Sequence, residues 1–311
     1  VCMGCGLHRS DTWQSERMHL LLLLASWTTA AAASMANASW PRELAIAVDS
    51  KITVQNPGLS VPPGIHLPCY GPFVAPAGAR SLRSFLPKVN MDIVHHMIMF
   101  GGRGGQRDGV KPGPTNLCFQ GSIMYAWART GQTKPIGLDF AQSELEGDGF
   151  AVGKGGRYEW FALQIHYQQL GSRAVLDNSG IELGFAAEAP RRPLETQLMA
   201  SFRLRIPARA KIDECVACRA TSGGTAVAWR NHAHRLARDI YSEHFGSDGL
   251  PRPPLGLISS QQPQIFRLLP ESRRIDAGDA ILLHCNYDAT GVDRVHLPRR
   301  RRAHARDGNQ Y

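Results

Sequence analysis

Asp92-Ile-Val-His-His-Met-Ile-Met-Phe-Gly101 is the stretch from which the rest of the chain is read. Two adjacent histidines interrupt an otherwise apolar, strand-like run. A buried imidazole pair must be satisfied by hydrogen bonds or by a metal. Two later segments answer it, Phe161-Ala-Leu-Gln-Ile-His-Tyr-Gln168 and Trp229-Arg-Asn-His-Ala-His-Arg-Leu236. Together the three supply His95, His96, His166, His232 and His234, enough imidazole for two metal sites or one crowded one. Adjacent strand residues point to opposite faces, so His95 and His96 share one ion only if the strand is bulged or the rings use different nitrogens. Otherwise one is a core histidine and the other a surface one. His232 and His234, two apart, fall on one strand face. Gln164 and Gln168 flank His166 on its polar face, and Gln164 suits a group that orients a ligand. All-nitrogen sites suit zinc, copper, iron or nickel. No general-base pattern such as H-E-x-x-H accompanies the histidines. This disfavours a zinc hydrolase and leaves redox chemistry at copper as the better metal reading.

Working outward, residues 44–48, 51–54, 89–100, 158–167, 181–185, 197–206, 225–236, 264–269 and 280–287 read as strands. Gly- and Pro-rich turns separate them, and no segment has a long helical repeat. Among 311 residues, 43% hydrophobic and 20% charged, that pattern predicts an all-β fold of two sandwiches with a boundary near residue 190. The expected domains are 39–190 and 191–293. Ahead of them, residues 1–17 read as a doubtful leader. Residues 18–38, with Arg17 before a leucine run and small residues after it, read as a signal peptide. The apolar run is too short for a membrane span. The expected location is therefore secreted or a secretory vesicle lumen.

The net charge of +9 is badly distributed. Six arginines and one aspartate in residues 294–311 account for +5 of it, which leaves +4 on the body. The run reads as a solvated, disordered tail, and no interleaving of basic and aromatic residues argues for nucleic acid. Of seven cysteines, Cys2 and Cys5 lie in the leader. Cys215 and Cys218 form a C-x-x-C that is either redox-active or half a zinc site.

As an ensemble, Val94-His-His-Met-Ile-Met-Phe-Gly101, Tyr125-Ala-Trp-Ala-Arg129, Leu163-Gln-Ile-His-Tyr167, His232-Ala-His234 and Ile281-Leu-Leu-His-Cys285 resemble the copper type II, ascorbate-dependent monooxygenases, in family order over roughly residues 44–293. The resemblance is strongest to the peptidylglycine α-hydroxylating branch. It implies two jelly-roll β-sandwich domains facing across a cleft. It implies one copper on His95, His96 and His166 for electron supply. A second copper, on His232, His234 and a methionine, binds oxygen and substrate. Ascorbate is the reductant and molecular oxygen the oxidant. The resemblance further implies glycine-extended peptides as substrates, hydroxylated at the α-carbon of the C-terminal glycine, and a separate lyase to complete amidation.

Arg230 matches the residue that pairs with the peptide carboxylate, which argues against a catecholamine-type monooxygenase. Residues 200–311 contain no methionine, so the resemblance leaves the second site short of its soft ligand. It predicts impaired turnover, and permits a secreted copper-binding protein without catalysis. His244 and His284 are the nearby imidazoles that could substitute. The family pattern pairs Cys69 with Cys118 and has a cysteine where Gly102 stands. It places the partners of Cys285 and of one of Cys215 and Cys218 in a segment that this chain does not match.

Overall fold

The computed structural model describes residues 50–104, 110–129, 134–140, 145–201 and 204–293, together with two short N-terminal strands, Cys2–Gly4 and Leu22–Ala25. The disordered-tail reading of 294–311, the expected strand at 44–48 and most of the leader and signal segments lie outside these residues. The described chain is all-β, with antiparallel sheets in two packed halves.

The first half uses β1 (Ser50–Gln55), β2 (Cys69–Phe73), β3 (Ser81–Lys88), β4 (Val94–Gly102), β5 (Ser122–Ala128), β6 (Trp160–Gln169) and β7 (Gly180–Ala186). One sheet runs β5-β4-β6-β2 and the other β3-β7-β1. Val54, Leu82, Phe85, Leu183 and Phe185 of the second sheet share one core with Met97, Met99, Leu163, Ile165 and Tyr167 of the first. The alternation along β4 and β6 that makes them strands also gives them a second face. On it Phe100 lies opposite Ala162, Ile98 opposite Gln164 and His96 opposite His166. A small cluster of Cys69, Phe100, Leu117, Cys118, Trp160 and Ala162 covers one end of that face. The histidines sit at its other end, beyond the cover.

The second half uses β8 (Leu194–Gln197), β9 (Lys211–Arg219), β10 (Gly224–Trp229), β11 (Ala237–Phe245), β12 (Arg267–Ile275) and β13 (Ala280–Asp288). β9-β13-β11 form one sheet, with Cys2–Gly4 added to β9. In the other sheet Leu22–Ala25 lies between β8 and β10, and β12 follows β10. Residues that read as a signal segment thus pair with both neighbours, and a chain lacking them has a gap between β8 and β10. β10 ends at Trp229 rather than at residue 236, and β12 begins at Arg267 rather than 264. The sequence periodicity overran both ends because the intervening residues alternate without a partner strand.

The connection between the halves is tied down. Arg191 and Arg192 both pair with the fully buried carboxylate of Asp148, at 3.3 and 2.5 Å. Thr196 donates to the Met124 carbonyl at 2.8 Å. The seam is apolar here, since Val227, Ala228 and Phe266 of the second half join the core of the first. The Phe266 ring stacks on Tyr125, 5.5 Å between centroids.

Cys69 and Cys118 form a disulfide with a Cα–Cα separation of 6.1 Å. Cys215 and Cys218 are also disulfide-bonded, so the C-x-x-C is not a free dithiol or half a zinc site. Three residues apart on one strand they stand about 10 Å apart, too far to bond each other. Cys285 is the free cysteine among the described residues.

The Cys69–Cys118 bridge closes a loop of 49 residues in sequence separation. By loop-closure entropy its removal destabilises the fold by about 4 kcal/mol. A paired Cys69→Ala/Cys118→Ala variant is expected to show a clearly lower denaturant midpoint by circular dichroism. An unchanged midpoint would contradict the role given to the bridge.

Candidate metal centre

The ladder between β4 and β6 explains how neighbouring histidines reach one site. His166 pairs with His96, but Tyr167 pairs with Val94, so His95 is an extra residue without a partner on β6. This is a β-bulge, which re-aims one side chain out of the strict alternation. The bulge is anchored on its far side, where the Arg129 amide donates to the His95 carbonyl at 2.9 Å. The Arg129 guanidinium donates to the Met91 carbonyl at 2.8 Å. His95, His96 and His166 therefore converge. Nδ1 of His96 lies 3.2 Å from Nδ1 of His95 and 3.2 Å from Nδ1 of His166. One ligand nitrogen from each ring lies within 4.8 Å of the others.

The electrostatics suit a cation. Burial, then the neighbouring His166, His232, His95 and Arg230, pull His96 down to about 2. Burial, Arg129 and His234 lower His95. These shifts favour the neutral form of His95 and His96, the form in which an imidazole can ligate a metal. No carboxylate belongs to the cluster. The donor set is nitrogen alone, which fits copper or another imidazole-binding transition metal rather than magnesium or calcium.

The second pair lies on an irregular segment beyond β10, not on a strand. His232 and His234 have ring centroids 5.2 Å apart. The His232 ring is only 6.3 Å from His96, so the five histidines form one continuous array across the seam. The resemblance implied two sets facing across a cleft. At this point the two halves touch. His232 is surrounded by protein, which lowers its pKa through burial first and then Arg230, yet it keeps an open face to solvent. Burial also lowers His234.

Arg230 is buried, 5% exposed, and its Nε donates to the Gln264 carbonyl at 2.9 Å. Burial takes its pKa down to about 10, with Tyr125 opposing, so it remains a cation at neutral pH. Among the described residues no carboxylate acts on it. Gln164 lies on the same face as His166 and is buried, but its Nε2 has no hydrogen-bond partner.

His244 and His284 do not approach the array. His244 is buried against Asp279 at 2.9 Å. His284 lies between Asp213 and Glu243, at 2.7 and 3.1 Å, and stacks on Tyr241. Neither replaces a missing ligand, because their strand positions commit them to other carboxylates. Gln264 was missed by sequence reasoning. It accepts from His232 Nδ1 at 2.5 Å, a contact across 32 positions that nothing local signals.

The His96 shift has a consequence for stability. The unfolded ring takes up a proton near pH 6.5, whereas the folded ring does so only near 2. Below 6.5 the unfolded state binds more protons, so metal-free stability falls as the pH is lowered, by up to about 1.4 kcal/mol per pH unit from this group. Unfolding midpoints of the metal-free chain are expected to drop between pH 7 and 5, and His96→Ala is expected to flatten that slope. An identical slope in the variant would contradict the buried neutral state.

A family model for the copper type II ascorbate-dependent monooxygenase C-terminal domain matches residues 196–297. The chain is 28% identical over 221 residues to peptidyl-glycine alpha-amidating monooxygenase B of Xenopus laevis, covering 67% of this chain and 23% of that protein. It is 29% identical over 224 residues to the peptidyl-glycine alpha-amidating monooxygenase of Mus musculus, covering 67% of this chain and 21% of that protein. The chain thus spans less than a quarter of the length of these curated relatives. Residues 196–297 thus carry the C-terminal domain of the copper type II ascorbate-dependent monooxygenases, and the similarity to these relatives along two thirds of the chain and the three-histidine cluster support the same assignment for the rest.

Proposed function

We propose that this chain takes part in copper- and ascorbate-dependent hydroxylation of the α-carbon of a C-terminal glycine in peptides. The observation that carries this reading is Arg230. It is a buried guanidinium on which no carboxylate acts among the described residues, two residues from His232. A buried cation of this kind favours an incoming anion, and the planar fork of donors matches a carboxylate. The printed names of the relatives, peptidyl-glycine alpha-amidating monooxygenases, agree with a peptide ending in glycine.

Bound copper would supply one-electron chemistry toward oxygen, with ascorbate as reductant. The chain's residues bind and orient. His95, His96 and His166 would hold one ion. His232 and His234 would offer two nitrogens for a second, and the apolar packing of Tyr125 and Phe266 closes the seam behind them. Arg230 receives the peptide carboxylate, so that the terminal glycine α-carbon lies toward the histidines. A separate lyase would release the amide, and a secretory route, secreted or in a vesicle lumen, suits a chain with bridged cysteines.

One observation favours a second reading, a copper-binding protein without turnover. Residues 200–311 hold no methionine, so the His232–His234 pair lacks a thioether from that stretch. A thioether favours Cu(I). Binding and turnover therefore need separate measurement.

A peptide ending in free glycine is expected to bind the chain, and Arg230→Gln is expected to weaken it about 10–100-fold, as for a lost charged hydrogen bond. The same peptide ending in an amide is expected to bind weakly to both. Equal affinity of wild type and variant for the free acid would remove the basis of the peptide reading. Oxygen- and ascorbate-dependent hydroxylation of the same peptide separates the enzyme from the non-catalytic reading. Turnover supports the first, and binding without turnover supports the second.

A further inference from the structure

We infer that Gln264 is a positioning residue that sets the tautomer of His232 and fixes Arg230 beside it. The inference rests on the reading of His232 as a metal ligand only for its consequence, not for its geometry. Gln264 is 3% exposed. Its side-chain nitrogen faces two carbonyl oxygens, Ala233 at 2.9 Å and Ser260 at 3.1 Å. A carbonyl accepts and cannot donate, so both amide hydrogens are committed and the amide cannot be flipped. The Gln264 Oε1 is thereby an acceptor and nothing else.

That oxygen lies 2.5 Å from His232 Nδ1. A neutral imidazole carries one N–H, and an acceptor-only partner requires it on Nδ1. The Nε2 lone pair of His232 is then the one left for a metal. A ligand ring is commonly oriented by a hydrogen bond from its other nitrogen, and loss of such a bond costs 10–100-fold in metal affinity. The same residue holds the anion-binding candidate, because Arg230 Nε donates to the Gln264 backbone carbonyl at 2.9 Å. Two residues on, Phe266 stacks on Tyr125 of the other half, at 5.5 Å. A single short segment therefore ties His232, Arg230 and the seam into one unit.

Gln264→Met keeps the length but removes the acceptor. Gln264→Glu keeps an acceptor but loses the two donors that anchor the loop. The readout is the tautomer of His232 in the metal-free chain at pH 8, from its ring carbon and nitrogen chemical shifts. Wild type and Gln264→Glu are expected to show the Nδ1–H form. Gln264→Met is expected to shift toward the Nε2–H form and to bind Cu(II) at the His232–His234 pair about 10–100-fold more weakly, with binding at His95, His96 and His166 unchanged. A role limited to anchoring the loop predicts that Glu and Met behave alike, which would overturn the inference. So would an Nε2–H form of His232 in the wild type, a result that needs no variant to fold. If the tautomer behaves as stated but the variants leave peptide binding and copper unaffected, His232 is positioned as described and the functional reading above is what fails.

Discussion

An array of imidazoles held close together, with no carboxylate in the three-histidine cluster, is the constraint on which this site depends. Burial comes first and neighbouring cationic or imidazole groups second in disfavouring the charged forms of His95, His96 and His232. A protein without a cation to bind gains little from such an arrangement. The sandwich tolerates it because the cost falls at one end of the β4–β6 face, beyond the covered cluster around Cys69–Cys118. The rest of that face and the core behind it are ordinary apolar packing.

Convergence comes from one backbone irregularity. Without the extra residue at His95, strict alternation would send that ring into the core with Met97 and Met99, and only His96 and His166 would meet. The second pair arrives by a different route, on an irregular segment whose position follows from the packed seam. The Asp148 clamp on Arg191 and Arg192 and the Tyr125–Phe266 stack act on that seam, while the hydrogen bonds of Gln264 hold His232 within the second half. Contact between the halves here is made by side chains, with the Tyr125 and Phe266 rings 5.5 Å apart and the His96 and His232 rings 6.3 Å apart.

Much of this was legible in the sequence. The apolar flanks of His95, His96 and His166 marked buried strands, and alternation on residues 158–167 placed His166 on the face opposite Leu163, Ile165 and Tyr167. The need for a bulge followed from the adjacency of His95 and His96, but its presence did not, because a bulge leaves no local signature in Val94-His-His-Met. The positions of His244 and His284 were misread for a related reason. Their partners, Asp279, Asp213 and Glu243, come from other strands. Strand ends at Trp229 and Arg267 were misplaced because periodicity does not report where a partner strand stops. The free-dithiol and half-zinc readings of Cys215 and Cys218 failed because each sulfur finds a partner distant in the chain.

The central claim is that His95, His96 and His166 act as one nitrogen-only site for a single ion. Copper bound per chain, measured with X-ray absorption at one equivalent, tests it most directly in the wild type and in His166→Ala. The account predicts imidazole scatterers alone in the wild type and loss of the tight equivalent in the variant. Unchanged stoichiometry in His166→Ala, or a first shell containing sulfur, would contradict it.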